Sequence, residues 1–309
     1  YRQEKHAVSF QLVINILIRA VISNRLYNSV RKRTFADEKL KEMITFPNAK
    51  INVGLHVVER RPDGYHNIET LFYPISLADV LEIVPATATT LSVTGFVPEG
   101  DVSNNLVMRA YRLLQERYDL PAVEIHLHKA IPFGAGLGGG SSDAAYALRM
   151  LRDMFQLPLS DEDLAHMAAS LGADCPFFIY NRPLLATGIG DCFESTDFTL
   201  QGKYIVLVKP PVEVSTAEAY ARIVPAMPQR HLCEKLRQPL ASWRGEVVND
   251  FEPGVFMLHP RIAAVKQRLY EMGATYASMS GSGASVFGIF DEPCNYLHAF
   301  PDCFVWSAK

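Results

Sequence analysis

The sequence has few cysteines, no excess of basic residues and no long apolar run. Its five cysteines are scattered along the chain and form no Cys-x-x-Cys pair. This usage argues against a disulfide framework and a zinc site, and it favours a reducing compartment. The formal net charge is -3, so no global basic field recruits nucleic acid or a membrane surface. We therefore expect a cytoplasmic globular protein, a monomer or homodimer, in which local groups hold any anionic ligand.

Residues 1–42 differ in character from the rest of the chain. Their apolar run is interrupted by Asn15 and Arg19, and it is too short to span a bilayer. The basic segment Arg31–Arg33 follows it, where a signal peptide would have small residues for cleavage. An organelle transit peptide stays open, although the acidic residues of the segment count against it. We predict that residues 1–42 are an extension outside the native domain, which begins at Met43.

Glycine is concentrated at one junction. Apolar and polar residues alternate from Val123 to Lys129, which is typical of a half-buried strand. From Ala144 to Phe155 apolar residues recur at helical spacing. Between these segments, five of the seven positions from Gly134 to Gly140 are glycine. The pattern predicts a glycine loop joining a strand to a helix, which Ser141 or Ser142 can cap.

A junction of this kind favours phosphate binding. The first N–H groups of a helix lack intrahelical partners, and the helix dipole places partial positive charge there. Glycines let the backbone approach an anion closely. A flexible hairpin or a tight strand–helix packing site is the alternative, but the flanking segments favour phosphate. No lysine follows the glycines, as a P-loop would require, and the parallel-strand context of a dinucleotide fold is missing.

Two charged residues stand out elsewhere. Lys50 lies between Ala49 and Ile51, and it is either an edge residue whose amine reaches solvent or a buried functional ammonium. Asp174 follows a predicted helix end at Gly172 and precedes an apolar segment, Phe177–Tyr180, that we expect to be a strand. We expect Asp174 to be partly buried, although a capping or turn aspartate is the commoner outcome.

Turn and periodicity signals predict the remaining elements. Strands are expected near residues 44–58, 68–75, 79–84 and 203–209, and helices after Asn104, after Ser160, after Ser215 or Thr216, and over 262–272. A second glycine loop, Gly281–Gly283, is expected between two strands.

The run from Pro132 to Ser142 reads Pro-x-Gly-x-Gly-Leu-Gly-x-Gly-Ser-Ser and is followed by alanines. It resembles the nucleotide loop of the GHMP kinases, which include galactokinase, homoserine kinase and mevalonate kinase. The resemblance implies an α+β, two-domain GHMP-kinase fold. Residues 43–195 would form a ribosomal-protein-S5-like N-terminal domain, and residues 196–309 a ferredoxin-like C-terminal domain.

The resemblance also implies roles for individual residues. Asp174, within Leu171-Gly-Ala-Asp-Cys-Pro176, would be the catalytic base, and Lys50 would lie close to it. The matching Gly-x-Gly-Ala segment, Gly281, Ser282 and Gly283, would close over the phosphates. Mg²⁺ would bridge those phosphates, with its direct protein ligands unidentified and Ser141 and Ser142 as helpers. The residues that would bind ATP are Pro132, Phe133, Gly134, Ala135, Gly136, Leu137, Gly138, Gly139, Gly140, Ser141 and Ser142.

Three further segments resemble one branch of the family, which phosphorylates a cytidyl-linked alcohol in the non-mevalonate isoprenoid route. They are Pro47–Asn52, Arg61–His66 and Glu69–Phe72. The branch implies that two tyrosines stack on cytosine and that a histidine bonds the edge of the base. The residues that would bind the cytidyl substrate are Asn52, Tyr65, His66, Thr216 and Tyr220.

Two other functions stay open. The first is another GHMP small-molecule kinase of the homoserine or mevalonate type, which the Tyr65-His66 pair disfavours. The second is a catalytically silent nucleotide-binding module, which the presence of both Lys50 and Asp174 disfavours. Thr187 lies where the family commonly has glutamate, so the role of that side chain is open.

Overall fold

The structure is a computed structural model that describes residues 43–96, 104–296 and 298–309. The extension predicted over residues 1–42 lies outside the described residues. From Met43 onward, the described residues belong to one compact unit.

The described strands form three four-stranded sheets with the orders β1-β4-β6-β5, β2-β3-β7-β8 and β10-β11-β9-β12. The β5–β6 pairing is parallel, and the other strand pairs are antiparallel. The strands are β1 (Met43–Thr45), β2 (Asn48–Arg60), β3 (His66–Ala78), β4 (Val80–Pro85), β5 (Thr90–Gly95), β6 (Val123–Lys129), β7 (Leu184–Thr187), β8 (Cys192–Ser195), β9 (Tyr204–Lys209), β10 (Tyr276–Met279), β11 (Val286–Phe290) and β12 (Phe304–Ala308).

The longest described helices follow the predicted amphipathic segments. The α-helices are α1 (Leu106–Tyr118), α2 (Gly139–Met154), α3 (Asp161–Ala169), α4 (Cys175–Tyr180), α5 (Thr216–Tyr220), α6 (Leu232–Leu236), α7 (Glu252–Leu258) and α8 (Pro260–Glu271). None of these helices, within the ranges described, is long and apolar enough to cross a membrane.

Several helix starts form as the sequence predicts. The side chain of Asn105 accepts a hydrogen bond from the N–H of Val107 at the start of α1. Ser160 and Asp163 form a capping box at the start of α3. Ser215, rather than Thr216, caps α5. These side chains satisfy backbone donors that the helix itself leaves free.

Two local predictions are wrong. Phe177–Tyr180 belongs to helix α4, not to a strand. The segment is buried on nearly every side, and a short apolar run then reads alike in a buried strand and a buried helix. Pro176 in the first turn favours the helix. The second error concerns α2, where neither Ser141 nor Ser142 is the cap, because Gly138 takes that position with φ +70°.

Strand β2 positions the site because its two faces meet different surroundings. Ala49, Ile51 and Val53 pack in one apolar cluster with residues of β9 and β11. Since side chains alternate along a strand, Lys50 and Asn52 face the opposite side. There they meet the ring of Phe72 and the first glycine loop.

The sheets divide the chain in the way that the predicted domains suggest. The strands of two sheets all precede residue 196, and those of the third sheet all follow it. The boundary between residues 195 and 196 stays a prediction, which this arrangement supports.

Candidate active site

The first glycine loop connects β6 to α2 and is held at its base by Asp79. The Oδ1 atom of Asp79 accepts hydrogen bonds from the backbone N–H groups of Ala130, at 2.6 Å, and Ile131, at 2.8 Å. Beyond this anchor, Gly134, Gly136 and Gly138 have φ of +56°, +70° and +70°. L side chains rarely adopt this conformation, so the glycines permit the path of the loop.

The second glycine loop packs directly on the first. The N–H of Ala284 donates to the carbonyl of Gly134 at 3.2 Å, and the Ser280 hydroxyl donates to the carbonyl of Gly136 at 2.9 Å. Asn249 holds the second loop, because its Nδ2 donates to the carbonyls of Met279 and Gly281, both at 2.8 Å. The two loops, distant in sequence, therefore form one backbone surface. Sequence reasoning assigned no role to Asn249, and its position after an apolar segment gave no signal of this contact.

Lys50 is a buried ammonium and not an edge residue. Its side chain is 4% exposed. Its Nζ donates to Asn52 Oδ1 at 2.6 Å and to the carbonyl of Gly136 at 3.2 Å, and it lies 4.9 Å from the centre of the Phe72 ring. The ammonium is thus compensated by oxygen acceptors and a ring face, as a buried charge requires.

Asp174 meets Lys50 across the site. Its Oδ2 lies 3.4 Å from Lys50 Nζ, and its side chain is 33% exposed. Asp174 occupies the N-cap position of α4, but its side chain makes no capping hydrogen bond. The expectation of partial burial is confirmed. A carboxylate that is next to a cation and is not used as a cap can accept a proton from a ligand.

A second buried lysine, Lys129, ends β6 beneath the glycine loop. Its Nζ forms ion pairs with Asp79 Oδ2 and with Asp143 Oδ2, the latter at 2.5 Å. Burial raises the pKa of Asp143 to about 8, against the lowering effect of Lys129 and with a further rise from Asp79. Two buried carboxylates thus share one ammonium, and the protonated form of Asp143 is favoured at neutral pH. Sequence reasoning missed Lys129, because its position at the end of the strand does not reveal that two buried carboxylates contact it.

The opposite end of the site carries the aromatic residues. Tyr65 follows the turn between β2 and β3 and is 61% exposed. The rings of His66 and Tyr220 are stacked, with centroids 4.7 Å apart. Tyr220 also meets Phe251 edge-on at 4.8 Å. Burial, and secondarily the charge of Asp174, raise the pKa of Tyr220, which keeps its phenol neutral at physiological pH.

A cleft of about 490 Å³ joins these parts. All the predicted site residues line it except His66 and Ser142. His66 does not line the cleft, and its ring is stacked on the ring of Tyr220. Ser142 is fully buried, and its hydroxyl has no hydrogen-bond partner among the described residues. Leu55, Ile68, Phe72, Lys129 and Phe251 also line the cleft. Sequence reasoning did not predict them as site residues.

Within the described residues, no group of three or more His, Cys, Asp or Glu side chains could hold a metal ion. A metal in this cleft would therefore depend on oxygen atoms of a bound ligand for part of its coordination.

Comparison with known proteins identifies the family. The sequence profile for the GHMP kinases N terminal domain matches residues 105–182, and the profile for GHMP kinases C terminal matches residues 231–293. The first match covers the glycine loop and Asp174, and the second covers Asn249 and the second glycine loop. The predicted α+β GHMP-kinase fold is confirmed.

Curated relatives share about half of their residues with this chain. The 4-diphosphocytidyl-2-C-methyl-D-erythritol kinase of Parabacteroides distasonis is 52% identical over 269 residues, which cover 86% of this chain and 99% of the relative. The enzyme of the same name from Porphyromonas gingivalis is 49% identical over 271 residues, covering 86% and 99%.

Solved structures agree with this assignment. A crystal structure of 4-(cytidine 5'-diphospho)-2C-methyl-D-erythritol kinase has a TM-score of 0.72 and 34% identity, and it covers 86% of this chain and 98% of its own. Homoserine kinase from Cytophaga hutchinsonii has a TM-score of 0.59 at 17% identity, covering 90% and 97%, and it shows the fold alone. The chain belongs to the GHMP kinase family, among the 4-diphosphocytidyl-2-C-methyl-D-erythritol kinases.

Proposed function

We propose that the protein transfers the γ-phosphoryl group of ATP to the 2-hydroxyl of 4-diphosphocytidyl-2-C-methyl-D-erythritol, in the non-mevalonate route to isoprenoid precursors. The observation that carries the proposal is the pairing of Lys50 with Asp174, 3.4 Å apart, at a cleft lined by both glycine loops. Phosphoryl transfer asks a protein mainly for positioning and for compensation of charge, and this arrangement offers both.

The glycine loops supply the site for the ATP phosphates. The first loop leads into the N-terminus of α2, where free N–H groups and the helix dipole favour an anion. The second loop lies against it through backbone hydrogen bonds, so Gly281, Ser282 and Gly283 are placed to cover the same ligand. The predicted ATP contacts of Pro132–Ser141 fit this surface, whereas Ser142 is buried and does not line the cleft.

Asp174 would accept the proton of the attacking hydroxyl. Its carboxylate faces the cleft and is not used as a helix cap. Lys50 would favour the ionised form of Asp174 and stabilise negative charge on the transferring group. The Lys50 ammonium donates to the carbonyl of Gly136 in the first glycine loop and lies 3.4 Å from Asp174, which supports a role for both groups next to a nucleotide bound on that loop.

Mg²⁺ would enter the site with the nucleotide. It would supply positive charge that offsets the negative charge of the phosphate groups during transfer. The cleft presents the oxygen groups of Ser141 and Asp174, which are of the type that Mg²⁺ prefers. The described residues contain no group of three or more His, Cys, Asp or Glu side chains that could hold a metal ion, and a metal that arrives on ATP needs no such group.

Tyr65, His66, Thr216 and Tyr220 would recognise the cytidyl group. Exposed Tyr65 is available to stack on a base, and Tyr220 presents a ring backed by Phe251. The ring of His66 is stacked on one face of Tyr220. A base that binds to that face would displace the imidazole to the edge of the base. An imidazole at the edge of cytosine can form hydrogen bonds with it.

We place the reaction in the cytoplasm, since all five cysteines are free thiols.

The test is a coupled assay of ADP release with three acceptors in parallel: the diphosphocytidyl substrate, homoserine and mevalonate. We expect turnover only with the first. Turnover with homoserine or mevalonate would assign the chain to another GHMP kinase. ATP binding without turnover on any of them would favour a silent nucleotide-binding module.

A further inference from the structure

Thr70 lies on β3 and connects to Lys50 through the side chain of Asn52, and it has no place in the function proposed so far. Its side chain is fully buried. Its hydroxyl donates to the carbonyl of Gly54 at 2.6 Å and accepts a hydrogen bond from Asn52 Nδ2 at 3.0 Å. Asn52 in turn accepts from Lys50 at 2.6 Å. The four groups form one continuous chain of hydrogen bonds.

The direction of this chain is fixed by the chemistry of its ends. An ammonium has only donors, so the Asn52 atom that faces Lys50 must be the carbonyl oxygen. The amide nitrogen of Asn52 then faces Thr70, whose oxygen must accept. The Thr70 proton is left for the carbonyl of Gly54, which is an acceptor only. Every member is satisfied in this one arrangement, and such directed chains strengthen each bond within them.

The backbone of β2 is shaped to make this contact. The pairing of β2 with β3 shifts register between Val53 and Leu55, and Gly54, with φ +72°, lies at the shift. A bulge of this kind redirects backbone groups away from the regular ladder. On its other side Thr70 pairs with Ala186 of β7, so the hydroxyl is carried by an interior strand of the sheet. It is a rigid support.

We propose that Thr70 is a positioning residue for phosphoryl transfer, because its hydroxyl orients the amide of Asn52 and thereby holds the Lys50 ammonium beside Asp174. Without the hydroxyl, the Asn52 N–H₂ group loses its acceptor, so the amide is no longer anchored and its oxygen can move away from the ammonium. Lys50 would then be held only by the Gly136 carbonyl and Asp174. The inference rests on the proposed function, since it assigns catalysis to Lys50 and Asp174.

The hydroxyl can be removed in two matched ways. Thr70→Val keeps the shape of the side chain, and it differs from the wild type by the hydroxyl. Thr70→Ser and Thr70→Ala both lack the methyl group, and they differ from each other only by the hydroxyl. We expect each loss of the hydroxyl to lower kcat about tenfold, while the KM for ATP changes by less than about twofold. Thr70→Ser should stay close to wild type. If Val does not fold at position 70, the Ser and Ala pair measures the same effect.

The second arm asks whether Thr70 acts through Lys50. In a Lys50→Ala background, with residual transfer measured from radiolabelled ATP, Thr70→Val should lower kcat no further. Thr89→Val is the control, because the Thr89 hydroxyl bonds the Tyr111 hydroxyl at 3.0 Å outside the cleft. It should leave kcat unchanged.

The outcomes separate the two proposals. An inactive wild-type enzyme contradicts the proposed function. If the wild type is active, three results would overturn the role of Thr70. The kcat of Thr70→Val could equal that of the wild type, or Thr70→Val could lower kcat by the same factor with and without Lys50. In the third case, kcat would fall across the variants only in proportion to the melting temperature.

Discussion

Gly136 and Ser280 approach each other more closely than any side chain at position 136 would allow. A Cβ atom built on Gly136 would lie 2.0 Å from the carbonyl oxygen of Ser280. The Ser280 hydroxyl donates to the Gly136 carbonyl at 2.9 Å, and the same carbonyl accepts from Lys50. The contact therefore joins the two glycine loops and Lys50 at one residue.

Gly136→Ala should push the loops apart. The new Cβ meets backbone on the other loop, which cannot give way as a flexible side chain could. We expect the KM for ATP to rise at least about tenfold and the melting temperature to fall by several degrees. Steady-state kinetics and calorimetry measure both. Gly134→Ala is the matched control, because Gly134 also has a positive φ, of +56°, but a Cβ there meets nothing within 4 Å. Equal effects at the two positions would show that backbone strain, and not the loop contact, matters.

Asp174→Asn should abolish most turnover and leave ATP binding nearly intact. The amide has almost the shape of the carboxylate but cannot take the proton of the acceptor. Loss of a general base typically lowers the rate about 100-fold to 10,000-fold. Steady-state activity assays give kcat, and isothermal titration calorimetry gives the Kd for ATP. Asp197→Asn, at an exposed position outside the cleft, should change neither. Turnover within a few-fold of wild type would remove Asp174 from this role.

Asp143 should make stability depend on pH. Because burial raises its pKa to about 8 from the ordinary value of 3.8, between these pH values the folded protein holds a proton that the unfolded chain has released. The contribution is full below the unfolded pKa and is lost as pH rises through the folded pKa. From about pH 5 to about pH 8, urea unfolding should show a steeper loss of stability in the wild type than in Asp143→Asn. Parallel curves for the two proteins would contradict a protonated Asp143.

The sequence predicted the segments that line the cleft better than it predicted the secondary structure around them. The glycine loop and Asp174 each lie in a short, continuous motif, and the spacing of residues within each motif indicates its chemistry. Phe177–Tyr180 was misassigned because a run that is apolar on every side has no period to measure. The capping of α2 was misassigned to serine because Gly138 can take a left-handed conformation that needs no side-chain oxygen.

Other parts of the site depend on contacts between distant segments. Lys129 becomes notable only when the fold brings Asp79 and Asp143 to the same ammonium. Asn249 becomes notable only when the second glycine loop packs beside it. A single sequence contains no signal for such meetings, since they depend on topology and not on local propensity. The stacking of His66 on Tyr220 is a contact of the same kind.

Tyr220 should decide affinity for the cytidyl substrate. Cytosine is a flat ring, and stacking of a base on an aromatic side chain contributes on the order of 1–3 kcal/mol. Tyr220→Ala should therefore raise the KM for the cytidyl substrate about tenfold or more, with the KM for ATP nearly unchanged. Tyr220→Phe keeps the ring and should be mild, because stacking on a base uses the ring face and not the hydroxyl.

The alternative is that Tyr220 only packs α5 on its surroundings, since its ring already contacts His66 and Phe251. Alanine would then lower the melting temperature and raise both KM values alike. Phe251→Leu tests this directly, because it weakens the support behind Tyr220 while leaving the ring in place. If Tyr220 binds cytosine, Phe251→Leu should lower stability with a smaller effect on the KM for the cytidyl substrate than Tyr220→Ala. If Tyr220 is a packing residue, the two variants should lose stability and both affinities in the same proportion.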